Sequence, residues 1–189
     1  MLLTWSGTEV SSHTNLCLCV PFLLIMNIIL LILEGITACL LVLISCVIGI
    51  ANGPENMVFF YDQQVQDKVV ELGLINKEKI KRNHNLFLFC GIIPYFIFVV
   101  ASVCFINKAR GIYQGFIQLL IILLIEGVFD RLFIDWYWVN HTKAWIIPGT
   151  EEYRPYIHRK TWIRKWLGTL IGFPIVSIII SLIMSVVLK

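Results

Sequence analysis

Charge is scarce in this chain, and its longest stretches carry almost none. Asp, Glu, Lys and Arg make up 14% of the residues against 58% hydrophobic ones, and the mean hydropathy is +0.83. That balance excludes an ordinary water-soluble domain. Residues 1–25 contain no Lys or Arg, which argues against a cleaved signal peptide, because such a peptide needs a basic n-region. No Cys-x-x-Cys pair and no Cys/His ligand spacing occurs among the cysteines at 17, 19, 39, 46, 90 and 104. A structural zinc or dithiol site therefore has no support, and buried inert thiols are the expectation. Leu43-Ile44-Ser45-Cys46 spells a lipoprotein cleavage box, but it sits too deep and lacks a basic lead. No nucleic-acid motif, cofactor motif or nucleophile–base pair is legible, nor is a CDP-alcohol transferase or lipid-phosphatase signature. The length of 189 residues leaves no room for a second folded domain.

What is present is a set of apolar runs: Phe22–Ile50, Leu86–Ile106, Gly111–Val128 and Trp166–Leu188. Each can cross a hydrocarbon layer of about 30 Å as a helix. The sequence predicts an all-α polytopic membrane protein: one domain, 26–189, with four transmembrane helices at about 26–50, 86–106, 111–133 and 166–188. Residues 1–25 read as a leader or dispensable segment, with Met26 as an alternative start. The run Cys17–Ile50 is too long for one upright helix, so a re-entrant hairpin at Glu34-Gly35 is the alternative.

The basic residues fall on one side of these spans. Segment 51–85 holds Lys68, Lys77, Lys79, Lys81 and Arg82, and segment 129–165 holds Arg131, Lys143, Arg154, Arg159, Lys160, Arg164 and Lys165. Only Lys108, Arg110 and Lys189 fall on the other side. The positive-inside rule then puts both long connections in the cytoplasm and both termini outside. An anionic inner leaflet suits these basic loops better than nucleic acid does.

The polar residues inside the spans are the candidate site. Gln114, Gln118, Ile122, Glu126 and Asp130 recur every four residues and share one face of the third span. Arg131 and Asp135 follow at a spacing that lets them pair. Ionisable groups in a span are costly unless paired or hydrated, so each is a functional candidate. With Glu34 of the first span, the expected polar cluster is Glu34, Gln114, Gln118, Glu126, Asp130, Arg131 and Asp135. Glu126, Asp130 and His141 are the candidates for acid-base or metal work, and no compact metal motif accompanies them. In the first span, Asn27, Glu34, Ala38, Ser45 and Gly49 share an inward face. In the fourth, Ser177, Ser181 and Ser185, preceded by Gly168-x-x-x-Gly172, predict close helix packing, and Pro174 predicts a kink.

Both cytoplasmic connections carry further patterns. Val58, Tyr61, Val65, Val69 and Leu72 recur at helical spacing. They predict an amphipathic helix over Asp62–Leu72 that lies on the inner leaflet, ended by Gly73 and followed by an Asn76 cap. The second connection is rich in aromatics, and Trp136, Trp138, Trp145, Trp162 and Trp166 are expected at the headgroup level. Asn140-His141-Thr142 is a glycosylation sequon that a cytoplasmic position leaves bare.

The second connection also carries Asp130, Asp135, Trp138, His141, Lys143, Trp145, Ile147, Pro148, Gly149, Thr150 and Glu151, and the first runs from Tyr61-Asp62 to Leu72-Gly73-Leu74. Together these residues resemble segments shared by an uncharacterised family of small bacterial four-span integral membrane proteins. The resemblance covers most of the chain after Met26. It implies a bacterial plasma membrane and four helices, and it brings no activity or catalytic residue with it.

Three functions fit these residues. The first is a non-enzymatic subunit or scaffold of a membrane complex, docked through a loop to a partner membrane protein or a second copy. The second is a membrane-embedded enzyme acting on a lipid-soluble substrate at the inner interface. The third is an oligomeric transporter or channel lined by Gln114, Gln118, Glu126 and Asp130. Base rates favour the first, and the cofactor is unknown.

Overall fold

The computed structural model describes the backbone of residues 10–187 and the side chains of residues 27–187. The described residues are all helical and irregular, with no strand. Helix α1 is Val10–Ile50, α2 is Gln63–Glu71, and α3 is Lys77–Ile106. Helix α4 runs as an α-helix over Gly111–Phe129 and continues in wider π-type turns over Asp130–Val139. Helix α5 is Arg159–Val187. Among the described residues, three helices are long and apolar enough to cross a membrane: Asn27–Ile50, Lys77–Ile106 and Arg159–Val187. The remaining expected span, 111–133, coincides with α4.

Residues 10–50 form one uninterrupted helix, so the hairpin alternative at Glu34-Gly35 is not what the chain adopts. Every residue from 27 to 50 is a good or tolerable helix former in an apolar setting, and Gly35 alone does not break it. Of the expected leader, residues 1–9 lie outside the described residues, as do residues 188–189 at the end of the last span. The Asn76 cap forms as expected, with its Oδ1 accepting from Lys79 N at 2.8 Å. From there the basic turn Lys77–Arg82 runs straight into the apolar part of α3. Prolines 94 and 174 are each preceded by a π-type turn, Leu88–Ile92 and Gly168–Gly172. Proline lacks the N–H for the i–4 carbonyl and its ring crowds that carbonyl, so a widened turn relieves both problems.

Helix α4 is the centre of the bundle. It packs along the whole of α5 and against α1, and glycines make this possible. A Cβ on Gly127 would stand 2.6 Å from side-chain atoms of Thr169 and Phe173, and one on Gly115 would stand 3.3 Å from Ser181. A Cβ on Gly35 would meet Ile125 at 2.8 Å. On α5, Thr169, Ser177 and Ser181 are buried, so the serine face packs as expected. The Gly168-x-x-x-Gly172 pair does not, because neither glycine has a neighbour within 4 Å of its would-be Cβ. The small residues that allow close approach in lipid lie on α4, opposite the stripe seen in the sequence.

The two long connections fold together at one end of the bundle into a cap with its own core. Val58, Tyr61, Val65 and Val69 from the first connection are buried, as are Trp145, Ile147, Thr150 and Tyr156 from the second. A nine-residue helix is too short to hold in water by itself. Helix α2 persists because two fully buried valines, Val65 and Val69, each contribute about 1.5–3 kcal/mol. Its apolar face therefore meets protein, and the expectation that it lies against the leaflet is corrected. Only Leu72, at 43% exposure, stays open.

Candidate functional site

The third-span stripe divides into separate contacts. Near the cap end, Arg131 reaches from the first π-type turn of α4 to both Asp130 and Asp135. Lys165, one turn before the apolar part of α5, bonds the other oxygen of Asp135 at 2.8 Å. Asp135 is 4% exposed, so two cations answer both of its oxygens in a poorly hydrated place, as a buried carboxylate requires. Two acids and two bases leave this group neutral. One α-helical turn deeper, Glu126 is 5% exposed and accepts from Tyr95 Oη of α3 at 3.1 Å through Oε2.

These groups line one cavity of about 300 Å³ between α1, α3, α4 and α5. Glu126, Asp130, Arg131, Asp135 and Lys165 supply its polar wall, and Val42, Cys46, Phe87, Ile92 and Phe173 supply its apolar wall. Such a site suits a small amphipathic group. Among the described residues no three His, Cys, Asp or Glu side chains stand close enough to hold a metal.

The other members of the expected cluster lie elsewhere. Glu34 is buried but has a different partner, Asn107 Nδ2, which donates to its Oε2 at 2.8 Å. Asn107 directly follows the last residue of α3, twelve residues beyond the Tyr95 that holds Glu126. Gln114 is exposed and caps its own helix, accepting from Arg110 N at 3.0 Å. Gln118 has a buried Oε1 without a protein partner. His141 is exposed, bonds the carbonyl of Trp136 at 2.6 Å through Nδ1, and is not among the residues lining the cavity. The geometry does not bring His141 to Glu126 and Asp130: it lies eleven residues beyond Asp130, at the last helical position of this stretch, with its ring turned to the Trp136 carbonyl.

Two participants escaped the sequence reading. Lys165 was counted only as an inside charge, although three acids against the single Arg131 called for a second cation. Tyr95 carries no signal along its own span, because its partner Glu126 stands on another helix.

The expected headgroup tryptophans also separate. Trp136 is 53% exposed, whereas Trp145 is fully buried and meets Trp138 edge-on at 5.1 Å. Trp162 donates its Nε1 to the Arg131 carbonyl at 3.3 Å and meets Trp166 edge-on at 5.7 Å. Of the five, only Trp136 is exposed; the others are in part or wholly structural.

The Ile147–Glu151 stretch is structural too. Thr150 N bonds the Ile147 carbonyl at 3.1 Å, with Pro148 and Gly149 between them. Gly149 has φ 82°, the left-handed value that the third position of a type II turn demands. Thr150 Oγ1 bonds the Ile147 carbonyl at 2.8 Å and Tyr156 Oη at 2.9 Å. Tyr61 stacks on Tyr156 with ring centres 4.6 Å apart, and burial pushes its phenol pKa well above the usual range. Asn140 is held by both side-chain atoms against the backbone of Ile157, at 3.1 and 3.2 Å, so its amide is engaged in the fold. The chain matches no protein-family model, and comparison with curated proteins and with solved structures finds no match.

Proposed function

We propose that this chain is a four-span protein of a bacterial plasma membrane that works as a non-enzymatic subunit or scaffold of a membrane complex. In this reading α4 is the remaining span, both termini are outside, and the cap faces the cytoplasm above an anionic leaflet. The cap is the platform that a partner membrane protein or a second copy meets. The observation that carries the reading is the fate of the polar residues. Asp130, Arg131, Asp135 and Lys165 are engaged with one another, and His141 bonds a neighbouring carbonyl away from them. Groups spent in this way hold helices together rather than standing free for proton transfer.

A second reading rests on the cavity. Glu126 stands at its wall beside an apolar lining, an arrangement that favours a membrane-embedded enzyme for a lipid-soluble substrate. The channel reading has less support, because the cavity takes in Glu126 and Asp130 but neither Gln114 nor Gln118.

Complementation of a deletion strain separates these readings. On the scaffold reading, Glu126→Gln and His141→Ala complement fully, and Trp145→Ala, which empties the core of the cap, does not. A stable Glu126→Gln protein that fails to complement transfers the case to the enzyme.

A further inference from the structure

The geometry points to a binding groove for the phosphate of an anionic lipid headgroup, between the start of α2 and the first two turns of α5. The groove has a volume of about 890 Å³, within the range of small-molecule sites. One wall is Phe59, Phe60 and Gln63 and the other is His158, Lys160 and Arg164.

Charge identifies the ligand. Asp62 of the groove is paired with His158 at 2.5 Å, and Lys165 is spent on Asp135. Lys160 and Arg164 are exposed and take part in no ion pair among the described residues. They lie four residues apart, so they project from the same face of one helix, about 6 Å apart along its axis. Two free cations at that spacing suit a single phosphate, with the guanidinium able to bond two of its oxygens.

Depth identifies the source. Residues 167–187 of α5 rise about 31 Å, which matches the hydrocarbon layer. Arg164 and Lys160 then stand one and two turns outside it, at the headgroups. Ile163 and Leu167, 44% and 53% exposed, continue the helix surface toward the lipid tails. The site rests on the membrane reading above, with α5 as a span, and adds to it one defined lipid position.

The test uses the full-length protein purified in detergent. Its melting temperature is measured with phosphatidylglycerol, phosphatidylcholine or inorganic phosphate, and native mass spectrometry counts the lipid retained. Phosphatidylglycerol is expected to raise the melting temperature and to remain at one per chain, and the other two are expected to do neither. Lys160→Gln with Arg164→Gln weakens phosphatidylglycerol binding about thirtyfold, and each single change about fivefold, given the usual worth of a basic residue at an anionic surface. The single changes carry the test should the double variant fold poorly. Lys77→Gln with Lys81→Gln removes equal charge elsewhere and keeps the affinity. Equal stabilisation by both lipids, or equal weakening by the Lys77/Lys81 variant, overturns the groove. A full shift from inorganic phosphate alone overturns the lipid as its source. Because binding is read in detergent, failure here leaves the transmembrane arrangement and the complementation result standing.

Discussion

Tyr61 Oη donates a hydrogen bond of 2.8 Å to the backbone carbonyl of Trp145, 84 residues further along the chain. Both residues are buried, so neither the hydroxyl nor the carbonyl has water as an alternative. This contact ties the first connection to the second. Tyr61→Phe keeps the ring and orphans the carbonyl, an expected loss of about 1–2 kcal/mol. In a chain of this size that lowers the melting temperature in detergent by roughly 2–8 °C. Alkali gives an independent check. Because the phenol pKa of Tyr61 is raised by folding, the folded state holds its proton where the unfolded chain, with a pKa of about 10, has lost it. Stability should therefore be full below about pH 10 and fall as the pH rises beyond it. Tyr61→Phe should flatten that fall.

Arg131 is the residue on which the ion cluster turns. Arg131→Ala strands Asp130 and leaves Asp135 with Lys165 alone in a poorly hydrated place, and removing one member of such a buried group costs about 3–5 kcal/mol. Glu126→Gln should change stability by less than about 1 kcal/mol, because an amide oxygen accepts the Tyr95 hydroxyl as a carboxylate does. Thermal melting of both variants in detergent checks the pair. Equal destabilisation would contradict the division between Glu126 and the Arg131 cluster.

Helix packing makes a contrast within one residue type. Gly127→Ala places a methyl 2.6 Å from Thr169 and Phe173 and should destabilise by about 1–3 kcal/mol. Gly168→Ala and Gly172→Ala meet open space and should be neutral or slightly stabilising, since alanine is the better helix former. Ser181→Leu should behave like Gly127→Ala, as Ser181 is fully buried against Gly115.

The four-span arrangement is checked by labelling in a cysteine-free background. Cysteines placed at Lys79 and Glu151 should react with an impermeant maleimide only after permeabilisation, and a tag at residue 189 should be reached from outside. External labelling of position 79 would overturn the arrangement.

Local chemistry was legible in the sequence, and destinations were not. The Asn76 cap, the periodicity of Val58, Tyr61, Val65 and Val69, and the inward positions of Glu34, Ala38, Ser177 and Ser181 follow from spacing along one helix, whereas Asn27 of the same expected face is exposed. Whether an apolar face meets lipid or protein depends on segments far away in the chain, so α2 and Trp145 read as interfacial yet lie in a core. Gly115 and Gly127 were passed over for the same reason. A glycine in an apolar helix has no local mark of what it admits, and its partners stand on α5. Glu34 and Glu126 share a side-chain type but not a partner, since Asn107 holds one and Tyr95 the other, and both partners lie far along the chain.

The joined cap also sets an order of events during synthesis. A ribosome adding about 5–20 residues per second delivers Trp145 roughly 4–17 s after Tyr61. Through that interval Val65 and Val69 have only the first connection itself, chiefly residues 54–60, to cover them. The second connection completes that cover when it emerges and closes the cap over α2. A chain truncated after residue 140 should leave segment 62–72 open to protease, while the full-length chain protects it.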